Sequence, residues 1–176
     1  MNHICILAIE NKSNLPNFGG VYWQYFEELD KINSSKNPVI NTSKEVFKKV
    51  KDTNGEKLIP LKEASIAVGD KITIRLLITS NADLEFVHLK DLRASCLEPL
   101  DVISKYKNHG DLWYYPSSKD TATHFFFDQI AQGTHVIEYD LRVNNTGAFN
   151  NGIATIQSMY APEFNGNSTS QKINVN

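Results

Sequence analysis

The stretch Lys71-Ile72-Thr73-Ile74-Arg75-Leu76-Leu77-Ile78-Thr79 alternates apolar and polar residues with a period of two. Successive side chains of a strand point to opposite faces, so this pattern belongs to a β-strand with one face in a core. Ile72, Ile74, Leu76 and Ile78 are expected inside, with Lys71, Thr73, Arg75 and Thr79 mostly toward solvent. No segment sustains the 3.6-residue period of a helix, and residues 27–32 offer at most one turn. Similar short runs recur at 45–50, 57–60, 86–92, 135–143, 153–160 and 172–175. Asn54-Gly55 between the first two is a hairpin signal, because both residues tolerate positive φ. Trp113-Tyr114-Tyr115 reads as a short strand ending at Pro116. Phe125-Phe126-Phe127 reads as a strand covered on both faces or as a piece of helix. The sum is roughly nine to eleven short strands with turn signals between them, the spacing of a sandwich or barrel.

Charge narrows the function. Lys and Arg total 18 against 20 Asp and Glu, giving a formal net charge of -2. Nucleic-acid binders and membrane-surface proteins draw their affinity from basic patches, so neither class fits. With 41% hydrophobic residues the chain can bury a real core and need not be disordered. Its two cysteines are too few for a disulfide-stapled miniprotein.

The amino terminus, His3-Ile4-Cys5-Ile6-Leu7-Ala8-Ile9, is apolar almost at once. No basic residue precedes this run and no small-residue cleavage site follows it, so it does not read as a secretory signal. It is also far short of the roughly 20 residues that cross a bilayer. A strand that starts directly after the initiator methionine is the better reading, followed by a second, aromatic strand over residues 20–26. Residues 34–43, rich in Ser and Asn and containing Pro38, are the best linker candidate.

Signatures of chemistry are scarce. There is no phosphate-binding glycine loop, dinucleotide fingerprint or nucleophile elbow. Cys5 and Cys96 stand far apart, and Cys96 reads as a packed thiol. His3, His88, His109, His124 and His135 show no metal-ligand spacing. Glu138 and Asp140 share one face of a strand, but a solvated face is a simpler account than a glycosidase pair. No enzyme, cofactor or metal site is therefore assigned. The aromatic clusters carry more. Tyr22, Trp23 and Tyr25 are candidates for an interface, whereas Trp113 and Tyr115 could stack a sugar if the module binds carbohydrate.

Several stretches, in order, resemble the carboxy-terminal end of bacterial alpha-2-macroglobulin-like proteins. They are residues 20–32, beginning Gly20-Val21-Tyr22-Trp23, and Val68-Gly69-Asp70-Lys71-Ile72-Thr73-Ile74-Arg75. Val87-His88-Leu89-Lys90-Asp91-Leu92-Arg93-Ala94-Ser95 and the stretch 118–128 follow. Residues 138–143 and 152–164, ending Met159-Tyr160-Ala161-Pro162-Glu163-Phe164, complete the match.

The resemblance implies an antiparallel β-sandwich of macroglobulin-like or fibronectin-III-like kind, with extra N-terminal strands. Residues 1–40 would correspond to the end of the β segment that follows the thioester domain, and 41–176 to the terminal macroglobulin-like sandwich. The initial strand would then be the return strand of a sandwich interrupted by a large insertion, free to fold back or to pair with another copy. Family members are exported endopeptidase inhibitors, many of which trap proteases through a bait region and a thioester. This sequence holds neither a thioester signature nor a recognisable bait region. The implied role is noncatalytic. Its partners would be other domains of a longer chain, or proteases through the parent protein, with no nucleic acid or membrane segment.

Overall fold

The computed structural model describes residues 8, 10–12, 14–16, 18, 26–53 and 55–176. The apolar run at 3–9 and the aromatic strand at 20–26, with His3, Cys5, Tyr22, Trp23 and Tyr25, lie mostly or wholly outside the described residues. A 3-10 turn at Leu29–Lys31 precedes the strands. These are β1 (Ile40–Asp52), β2 (Gly55–Pro60), β3 (Lys71–Ser80), β4 (Leu84–Leu92), β5 (Leu97–Pro99), β6 (Lys107–His109) and β7 (Leu112–Ser118). They continue as β8 (Ala122–Ile130), β9 (Gly133–Val143), β10 (Gly147–Asn150), β11 (Ala154–Ser158), β12 (Asn165–Asn167) and β13 (Lys172–Val175).

Two antiparallel sheets make a sandwich. One has the order β2-β1-β3-β9-β5 and the other β12-β11-β4-β8-β7-β6, with β10-β13 as a small third sheet. The alternation in β3 does what its sequence predicts: Ile72, Ile74, Leu76 and Ile78 are fully buried. Ile137 and Leu141 of β9 join them, facing Val87, Leu89, Phe125, Phe127 and Ile156 of the opposite sheet. Burial of such side chains stabilises by roughly 1.5–3 kcal/mol each, which makes this layer the main source of stability. No helix among the described residues is long and apolar enough to cross a membrane.

Several sequence expectations need correction. Thr73 is fully buried rather than solvent-facing. On the outer side of its sheet it donates to Asp140 Oδ1 at 2.6 Å, and Lys49 reaches the same carboxylate at 2.7 Å. The linker proposed at 34–43 is not one over its whole length, because β1 begins at Ile40 and Ser35 already bridges Asn167 of β12. Strand β7 does not stop at Pro116; it continues to Ser118, with Pro116 opposite Phe125. There the strand has β8 as its one neighbour, since β6 reaches only Tyr114, and an unpaired edge tolerates a missing N–H. Phe126 is 37% exposed, so the Phe125-Phe126-Phe127 run is strand with one covered face, not two. The hairpin at 55 forms as expected, with Gly55 at φ 128 opposite Asp52. Cys96 is buried and unpaired, and burial pushes its thiol up, as fits a packing role.

One polar cluster crosses the core. Lys44 Nζ of β1 donates to Leu92 O at 2.6 Å and Asn151 O at 3.0 Å, and pairs with Asp91 Oδ1 of β4 at 2.7 Å. Tyr139 of β9 donates its hydroxyl to Asp91 Oδ2 at 2.5 Å. Burial alone drives both charged groups toward neutrality, lowering Lys44 and raising Asp91. Their direct contact opposes that drift, as do the two carbonyls that accept from Nζ. The cluster is sealed from solvent, so it ties the sheets together rather than presenting a reactive group.

Candidate interaction face

The solvent side of the β12-β11-β4-β8-β7-β6 sheet carries the feature most unlike an inert surface. Alternation sends Trp113 and Tyr115 of β7 outward while Leu112 and Tyr114 pack inside. On β8, His124, Phe126 and Asp128 face out; on β4, Phe86, His88 and Lys90 do so. Register then assembles a row that no local pattern announces. Tyr115 lies opposite Phe126, Phe126 opposite His88, and His88 opposite Gln157 of β11.

The rings touch along this row. Tyr106 meets Tyr115 edge-on at 5.4 Å between centroids. Phe126 stacks on His88 at 4.8 Å with 16° between the planes. His88 Nε2 and His124 Nδ1 are 2.9 Å apart, closer than the about 3.5 Å separation of stacked carbon rings. With 7° between the planes, this contact is an in-plane N–H···N bond, one imidazole donating and the other accepting. At the far end Phe86 and Tyr160 meet edge-to-face at 5.3 Å. Phe86 holds φ 51, a strained conformation for a bulky residue, and its carbonyl accepts from Met159 N at 2.9 Å.

Electrostatics set the row's charge at neutral pH. His88 is pushed below the usual imidazole range by burial first, then by His124 and Lys90. His124 is lowered by burial, Lys90 and Lys119. Both rings are therefore mostly neutral near pH 7, leaving an aromatic strip with lysines on one flank.

Trp113, one of the two residues expected to stack a sugar, is 61% exposed, and Tyr115 is half-buried beside it. The structure brings Tyr115 together with Phe126 and His88, while Trp113 projects from the same face two residues earlier, opposite Asn108 of β6. The sequence reading missed Phe126, His88 and His124 as a group, because their contact depends on cross-strand register over 36 residues. The interface candidates Tyr22, Trp23 and Tyr25 lie outside the described residues. Glu138 and Asp140 do face one way, but Arg75 holds Glu138 at 2.6 Å and Lys49 holds Asp140, so neither is poised as a general acid or base. Among the described residues no group of three or more His, Cys, Asp or Glu could hold a metal ion.

Comparison with known proteins places this geometry. The Salmonella alpha-2-macroglobulin reacted with methylamine superposes with a TM-score of 0.64 over 82% of this chain and 10% of its own, at 15% identity. Native alpha-2-macroglobulin from Escherichia coli, spanning domain MG7 to the C-terminus, gives 0.62 over 80% of this chain and 24% of its own, at 16% identity. The curated circularly permutated Ras protein 2 of Dictyostelium discoideum is 24% identical over 111 residues, which is 63% of this chain and 3% of that protein. This chain thus spans a small part of each of these relatives. The model of the bacterial alpha-2-macroglobulin MG10 domain matches residues 40–163. With that match covering most of the sandwich, the chain belongs to the bacterial alpha-2-macroglobulin MG10 domain family.

Proposed function

We propose that this chain is a noncatalytic, contact-making module of an alpha-2-macroglobulin-like protease inhibitor. In this reading residues 41–176 are its terminal macroglobulin-like sandwich. Residues 1–40 are the end of the β segment after the thioester domain. The parent protein is exported, and the module works by packing against the thioester domain. The observation that carries this reading is the outward row of Trp113, Tyr115, Phe126 and His88 on an otherwise well-packed sandwich. Exposed aromatic clusters of this kind mark interaction surfaces, where Trp and Tyr contribute most.

The test is binding between this chain and the isolated thioester-bearing domain of an alpha-2-macroglobulin from the same genome, followed by calorimetry. Trp113→Ser with Tyr115→Ser should weaken it at least tenfold, about 1.4 kcal/mol or more, while the circular dichroism spectrum stays unchanged. Equal binding by the double variant would sink the role given to this face.

A second reading has one observation in its favour. Trp113 is 61% exposed and projects on the same side as Tyr115, the arrangement a carbohydrate-stacking platform needs. Glycan-array binding that disappears with Trp113→Ala would support it. Absence of any glycan signal at high protein concentration would remove it.

A further inference from the structure

Beside the histidine pair stand two cations that no carboxylate neutralises. Lys90 of β4 and Lys119 of the β7–β8 turn join none of the ion pairs formed among the described residues. Lys44, Lys48, Lys49, Lys71 and Lys107 each hold a carboxylate, and Lys51 and Lys57, which do not, lie on β1 and β2 of the other sheet, so Lys90 and Lys119 are the unpaired cations beside this face. Next to Lys90, a groove of about 400 Å3 is bordered by His88, Thr155, Gln157, Asn165 and Asn167. Its lining is therefore amide, hydroxyl and cation, and it opens directly onto the Phe126–His88 stack.

We infer that this face docks an acidic protein segment, with carboxylates on Lys90, Lys119 and the histidine pair and apolar side chains over Phe126 and Tyr115, and that the contact tightens on mild acidification. The inference rests on the contact-module reading and names the chemistry of its partner. Charge complementarity selects the occupant: an unneutralised cationic flank calls for an anionic partner. The cations flank the aromatic row, Lys90 lying opposite His124 in the neighbouring row, so the occupant must also supply apolar groups beside its charges. A protein segment does so, whereas a sulfated polysaccharide offers charge without them.

The direction of the pH effect follows from the groups facing the pair. On β4 and the β7–β8 turn these are Lys90 and Lys119, and on β11 the neutral Gln157. Asp120 neighbours Lys119 in the turn, and Asp128 lies beyond Phe126, where the Tyr106 hydroxyl binds it at 3.3 Å. Held below the usual imidazole range by burial and the neighbouring lysines, the two rings take up protons only after free imidazole does as pH falls. A bound carboxylate draws that uptake toward neutrality, while a partner's carboxylates stay ionised down to about pH 4. Protonating both rings also breaks their mutual N–H···N bond, since no acceptor lone pair remains on the facing nitrogens. Both N–H groups are then free for a carboxylate, and each makes a charge-assisted bond.

The test uses the full chain with a random glutamate–tyrosine copolymer as probe, against polyglutamate and dextran sulfate, measured by biolayer interferometry. Copolymer affinity should rise roughly three- to tenfold between about pH 7.5 and about pH 5.5, as two exposed ion pairs of ordinary strength would give. Lys90→Glu with Lys119→Glu should abolish binding at both pH values. His88→Gln with His124→Gln should keep the neutral binding and lose the rise. Because these side chains are at least partly exposed, circular dichroism should show every variant folded. Binding that is absent, flat or falling on acidification overturns the inference, as does polyglutamate or dextran sulfate binding as tightly as the copolymer. Retained thioester-domain binding by the lysine variant would also overturn it and leave the contact-module reading standing.

Discussion

Lys44 and Asp91 occupy the interior position where a charge is hardest to keep, and their neighbours explain why they persist. Lys44 Nζ donates to two backbone carbonyls and pairs with Asp91 Oδ1, and Tyr139 supplies a donor to the second Asp91 oxygen. Replacing one member strands the other, so Asp91→Ala should destabilise by about 3–5 kcal/mol in urea denaturation. Lys44→Met combined with Asp91→Leu should recover most of that loss, because desolvation is removed along with attraction. Tyr139→Phe leaves one buried oxygen short of a donor and should cost about 1–3 kcal/mol. A double variant no more stable than Asp91→Ala would mean that the pair adds net stability instead of offsetting its own desolvation. The histidine pair predicts a pH effect of defined sign. Both imidazoles are harder to protonate in the folded chain than in the unfolded one. Below about pH 6.5 the unfolded state therefore binds more protons, and stability falls as pH drops until the folded pair has itself titrated. Thermal melts from about pH 7.5 to about pH 5 should show this fall in the wild type and a shallower one in His88→Gln with His124→Gln. Identical slopes would show that other groups govern the decline.

At the level of elements, strands announce themselves when their pattern is local and hide when it depends on partners. β3 and β9 were legible because their alternation reports one buried face directly. The passage of β7 through Pro116 was not, since only the absence of β6 alongside makes a proline acceptable there. Half of the candidate face was legible for the same reason. The shared outward direction of Trp113 and Tyr115 follows from spacing in one strand. The meeting of Tyr115 with Phe126 and His88 follows from register across three strands, which the sequence does not encode locally. The turn before β11 shows both sides of this divide. Asn151-Gly152 reads as a turn, yet the need for glycine comes from a distant strand. Gly152 has φ 68, and a Cβ there would fall 2.5 Å from Leu92 Cβ at the end of β4. Gly152→Ala should therefore destabilise by roughly 1–3 kcal/mol, combining left-handed strain with overpacking. Gly110→Ala, at a φ of 60 where a Cβ meets nothing within 4 Å, isolates the backbone share of that effect. Equal midpoints for the two variants in chemical denaturation would mean that the clash with Leu92 relaxes away.

For the whole molecule, the open question is where the cooperative unit begins. The family match starts at residue 40, at the first residue of β1. Hydrogen bonds place the edge earlier. Asn167 N donates to Ser35 O at 3.3 Å and its side chain to Asn33 O at 3.0 Å, extending the sheet beyond β12. Asn37 donates to Glu163 O at 3.0 Å, while Asn81 donates to Val39 O at 2.8 Å and Pro38 O at 2.6 Å. Further upstream the described links thin to the Asp30–Lys172 pair, at 2.6 Å with Lys172 largely exposed. Phe26 is fully exposed. Deleting residues 1–28 leaves that pair and the links at 33–39 in place, so the melting temperature should stay within about 3 °C of the full chain. Deleting residues 1–39 removes the strand-like cover of β12 and several backbone hydrogen bonds worth about 1 kcal/mol each, and should lower it by roughly 5–15 °C. The difference between the deletions locates the boundary of the sandwich between 28 and 40. Equal melting temperatures for both would place it at β1, and a large loss in the shorter deletion would make residues 1–28 part of the same folding unit.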